Sequence, residues 1–204
     1  MRHLLALALV LVLLTNCAPR YEVEMEELNT EEVVWLVQRA ATKFKHEKTL
    51  RHEHSRVLFD STGFTRLGIQ FSTQDILEVN EARALLVDFV EYILGEINRD
   101  PLLCGQLAAY PFSAERLDVI ILCESLYQQY LDPFYIGCIK LKRGTSYFYA
   151  ADAADQNIYS WHSRVEPYYK SREFIMLERA AEKEYQKEHV SKDKHIPDEY
   201  YPKD

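Results

Sequence analysis

The sequence predicts a single α+β domain, an antiparallel or mixed sheet of about four strands with three main helices packed against it. Three observations carry this expectation. Residues 33–44 and 82–97 repeat apolar side chains at helical spacing, giving each segment one apolar face. Residues 64–71 switch to period two, as a strand with one buried face requires. Taken in order, the elements read helix, strand, helix, three strands, helix; strands grouped in this way favour α+β over a regularly alternating parallel sheet.

The first helix follows Asn29 and Thr30, which suit an N-cap, and opens on Glu31 and Glu32, whose charges favour the positive end of a helix. Val33, Leu36, Val37, Ala40, Ala41 and Phe44 form its inward face. The basic run KFKHEKTLRHEHSR (residues 43–56), interrupted by Glu47 and Glu53, reads as a solvated helix face. In the strand that follows, Thr65, Leu67, Ile69 and Phe71 alternate with Phe64, Arg66, Gly68 and Gln70. Thr73 or Asp75 then caps a central helix carrying Ala82, Leu85, Leu86, Phe89, Val90, Ile93, Leu94 and Ile97, which Asp100-Pro101 ends.

A loop over 102–111 leads to LDVIILC (117–123), a continuous apolar run suited to a buried central strand. Apolar segments flank Lys142-Arg143-Gly144, so a hairpin turning at Gly144 follows. Pro167 suits the first turn of a last helix, on which Phe174, Leu177, Ala181 and Tyr185 make a narrow apolar stripe. The domain spans 29–189, and 190–204 reads as a mobile tail. The segment EARALLVDFVEYILGEIN, with AAYPF and then a strand, resembles uncharacterised exported proteins of chlamydia-like bacteria, a resemblance that implies no activity.

The amino terminus carries an address. Arg2 and His3 precede eleven uninterrupted apolar residues, Leu4 to Leu14, then Thr15, Asn16 and Cys17. A membrane span needs about 18 or more apolar residues, so this run has the length of a signal-peptide core. Leu14, Thr15, Asn16 and Cys17 resemble a bacterial lipoprotein signal, with Asn16 larger than that family prefers. The resemblance implies a signal peptide over 1–16, acylation of Cys17, a tether over 17–28 and a membrane anchor held by several acyl chains. Ordinary secretion is the competing outcome.

Lys+Arg 24 against Asp+Glu 32 gives a net charge of −8, which repels phosphate backbones, so nucleic acid is not an expected partner. With Cys17 acylated, Cys104, Cys123 and Cys138 remain; a disulfide between Cys123 and Cys138 is compatible with their spacing on neighbouring strands, and so are free thiols. No C-x-x-C occurs.

Three groups of residues carry side chains suited to chemistry. His46, Glu47, His52, Glu53 and His54 offer seven-residue helical spacings for a metal, but H-E-x-x-H is absent and a charged helix end accounts for them. Ser125, with His162, Asp152 and Asp155, has the residue types of nucleophilic catalysis without a G-x-S-x-G elbow. Tyr147, Phe148, Tyr149, Tyr159, Trp161, Tyr168 and Tyr169, interleaved with Asp152 and Gln156, have the composition of a contact surface, with Tyr159 and Trp161 at its edge, or of ordinary packing. The sequence therefore reads as an envelope lipoprotein acting as a non-enzymatic interaction or structural module. It needs no cofactor or metal, and its partners are the membrane and an envelope protein or glycan. The alternative is an exported hydrolase with His162 in its site.

Overall fold

The computed structural model describes residues 31–124, 135–150 and 163–190. They form an α+β unit with one mixed six-stranded sheet and four α-helices. In chain order these are α1 (Glu31–Lys48), β1 (Arg51–Asp60), β2 (Gly63–Thr73), α2 (Val79–Arg99), α3 (Pro101–Gln106), a 3₁₀ turn (Ala114–Arg116), β3 (Leu117–Cys123), β4 (Ile136–Lys142), β5 (Thr145–Ala150), β6 (Arg164–Pro167) and α4 (Tyr168–Val190). The strands lie side by side in sequence order. Every neighbouring pair is antiparallel except β2 and β3, which run parallel because α2 and α3 return the chain between them.

The helices cover one face of the sheet. Val33, Leu36, Val37, Ala40 and Phe44 of α1, the apolar stripe of α2, and Tyr168 and Ile175 of α4 share one core with Leu67, Ile69, Phe71, Val119, Ile121, Ile139, Leu141 and Phe148 of the strands. At its centre Phe89 meets Phe44 and Phe71 edge-on, with ring centroids 5.0 and 5.1 Å apart. Polar groups secure the ends of the elements. Glu78 and Glu81 close a capping box on α2, and Asp100 accepts from the backbone N–H of Leu102 to start α3 behind Pro101.

The sheet has six strands where about four were expected, and the two unexpected ones are its edges. Residues 51–56 of the basic run, expected on a helix, belong to β1; α1 ends at Lys48, Thr49 takes a positive φ of 54°, and the chain turns into the sheet. β6 has only four residues. Residues 102–106, expected in a loop, belong to the short α3. On the last helix the narrow apolar stripe is not the packed face: Phe174, Leu177 and Tyr185 are exposed, whereas Tyr168, Ser171 and Ile175 face the core. Arg172 and Arg179 dock that helix on α2 through Glu91 (2.9 Å) and Asp88 (2.7 Å), and beyond Arg179 the described side chains are exposed. Among the described residues no helix is long and apolar enough to cross a membrane.

Candidate functional site

Cys17, Ser125, Asp152, Asp155, Tyr159, Trp161 and His162 lie outside the described residues. The histidine-rich run is divided: His46 is on the last turn of α1, whereas His52 and His54 are on β1, so helical ligand spacing does not apply to them. Among the described residues no three His, Cys, Asp or Glu side chains gather as a metal site. Cys123 and Cys138 are free thiols. Cys138 stands opposite Leu122 rather than Cys123, and strand alternation sends the two sulfurs to opposite faces of the sheet. Burial, with a smaller contribution from Cys138, pushes the Cys123 thiol up to about 12; burial also raises Cys138.

The face of the sheet turned away from the helices is a surface that the sequence reading did not find. One row crosses all six strands: His54 opposite Gln70, Gln70 beside Ile120, Ile120 opposite Lys140, Lys140 opposite Tyr147, and Tyr147 opposite Val165. In the next row Arg56 stands opposite Gly68 and Gly68 beside Asp118, while Lys142 lies two residues along β4 from Lys140. Gly68 has no side chain, and a depression opens there. The depression has a volume of about 280 Å³ and is lined by His54, Arg56, Gly68, Asp118, Ile120 and Lys140, among others.

The charges on this face are unevenly paired. Asp118 accepts two hydrogen bonds from Nη1 of Arg66, at 3.1 and 3.2 Å. Glu53 accepts from Ser72 and from Arg51, both at 2.6 Å, and these two bonds, the Ser72 one foremost, hold its carboxyl below the usual range. Glu124 pairs with Arg51 at 3.3 Å. Arg56, Lys140 and Lys142 have no carboxylate within 4 Å among the described residues. Beside them Tyr147 and Tyr149 stack with centroids 5.9 Å apart, and the Lys140 ammonium lies 5.8 Å from the Tyr149 ring. A chain of net charge −8 thus presents, on one surface, three cations with no carboxylate partner among the described residues. Chemically, that arrangement attracts and orients anionic groups.

No family model, curated protein or solved structure matches the chain.

Proposed function

We propose that this protein is a membrane-anchored envelope lipoprotein, tethered through an acylated Cys17, whose domain is a non-enzymatic binding module. It meets its partner through the face of the sheet left uncovered by the described helices. The anchor rests on the short apolar run ending in Leu14-Thr15-Asn16-Cys17. The observation that carries the binding role is the set of cations Arg56, Lys140 and Lys142 around the depression at Gly68, none of which has a carboxylate partner among the described residues. Desolvated or clustered charge without a partner inside the fold adds nothing to folding, and a complementary ligand gains from it.

Lysine footprinting tests this role. An amine-reactive ester applied to intact envelopes and to the purified full chain should show Lys140 and Lys142 protected several-fold in the envelope. Lys183, exposed on α4, should label equally in both. Equal labelling of all three lysines in both preparations would remove the uncovered face as the contact surface.

A further inference from the structure

We infer that the depression at Gly68 binds a sugar carrying an anionic group, a phosphorylated or carboxylated saccharide of one or two rings. The inference rests on the reading of the uncovered face as the contact surface and names what it contacts. Charge sets the sign of the ligand. His54 and Arg56 flank the depression from β1, and Lys140 and Lys142 flank it from β4. With neighbouring strands about 4.8 Å apart, the two flanks stand roughly 14 Å from each other at the backbone, and long side chains lean over the space between. Asp118, which lines the depression, is paired with Arg66, and Glu53 and Glu124 are paired with Arg51, so these three carboxylates do not neutralise the flanking cations.

Size and lining set the class. A volume of about 280 Å³ lies at the small end of ligand pockets, which start near about 300 Å³, so it suits a compact molecule. Gly68 and Ile120 give an apolar part of the lining for the C–H face of a ring, and Gln70, with the Asp118 carboxylate, offers hydrogen-bond partners to hydroxyls. Single-stranded nucleic acid is the competing polyanion. It binds through aromatic rings on which bases stack, and no Phe, Tyr or Trp lines the depression; Tyr147 and Tyr149 lie to one side and stack on each other.

The test uses the full chain in detergent and titration calorimetry with glucose 6-phosphate, galacturonate, glucose, inorganic phosphate and a ten-residue thymidine oligonucleotide. Glucose 6-phosphate or galacturonate should bind, at least about tenfold more tightly than glucose or inorganic phosphate, and more weakly as salt rises. Gly68→Leu fills the depression; a Cβ at this position meets only Arg56 backbone and Cβ atoms at 3.7 and 3.8 Å, so the strand accommodates it. That variant and the double variant Arg56→Gln with Lys140→Gln should each weaken binding about tenfold or more, while Lys183→Gln leaves it unchanged. A circular-dichroism melt within a few degrees of the parent keeps the comparison among folded proteins. Binding of neither anionic sugar, equal binding of glucose, tighter binding of the oligonucleotide, or unchanged affinity in both site variants would each overturn the inference. If the sugars fail while the footprint at Lys140 and Lys142 persists, the saccharide is wrong and the contact surface stands. If both fail, both are wrong.

Discussion

Arg83 reaches from α2 to β6 and holds Glu166 with two hydrogen bonds, Nε to Oε1 at 2.7 Å and Nη2 to Oε2 at 3.2 Å. The pair is largely buried, with side-chain exposures of 10% and 23%. Its surroundings complete it: Arg83 also donates to Asn80 at 2.7 Å and lies over the Phe174 ring at 4.6 Å, and Ser171 donates to Glu166 at 2.6 Å. This is how a four-residue edge strand, too short to hold its place by backbone pairing alone, is fixed to the helical layer.

Arg83→Ala should therefore destabilise the domain by about 1–3 kcal/mol, because it leaves a partly buried carboxylate without its arginine. The double variant Arg83→Met with Glu166→Leu should cost less than the single one, since it removes both charges. Urea unfolding followed by circular dichroism measures the difference, and a larger loss in the double variant would contradict the assignment.

The same pair gives a pH dependence of fixed sign. Burial alone would raise the Glu166 carboxyl, but the hydrogen bonds from Arg83 and Ser171 outweigh it and hold the group below the usual carboxylate range. A carboxyl depressed in the folded state adds stability above its unfolded value of about 4.3, and loses it as pH falls through the folded value. The stability gap between the parent and Glu166→Gln should thus narrow as pH falls from 6 to 3. A gap that widens over this range would reverse the sign of the effect.

Gly63 carries the turn between β1 and β2 at a φ of 125°, and a Cβ there would strike the Gln106 carbonyl oxygen. Gly63→Ala should cost at least about 1–3 kcal/mol of stability, from the backbone conformation and the displaced contact with α3. An unchanged thermal midpoint would show that the turn has another conformation.

In the acylated protein three thiols, Cys104, Cys123 and Cys138, should titrate after denaturation without reductant. In the native state at pH 8, Cys123 should resist iodoacetamide, because burial pushes its thiol up to about 12 and leaves almost no thiolate. Only one reactive thiol in the denatured, unreduced chain would establish a disulfide instead.

The interior of the fold was legible because burial writes a period into the sequence. Leu67, Ile69 and Phe71 alternate in β2, LDVIILC fills β3, and α2 has a wide apolar stripe, so all three elements were read from pattern alone. The edges were not. β1 is RHEHSR over its first six residues, mostly exposed, and such charges keep an edge strand from pairing with another chain while erasing its alternation. On α4 the stripe Phe174, Leu177, Tyr185 was periodic yet exposed, because Ser171 and Ile175, a quarter-turn away, face α2 and the sheet. The candidate site was illegible for a geometric reason. Arg56 and Lys140 are distant in sequence, and only the register through Gly68, Gln70 and Ile120 places them on one face.

The central claim is that the uncovered face makes the contact and Cys17 only supplies the tether. Cys17→Ser should release the protein from the membrane, and the released full chain should still sediment with washed envelope fragments at low salt, an association that salt reverses. Adding Lys140→Glu and Lys142→Glu to that background should abolish sedimentation, while adding Lys183→Glu should leave it intact. Sedimentation that survives the two charge reversals on β4, or is lost equally with Lys183→Glu, would contradict the account.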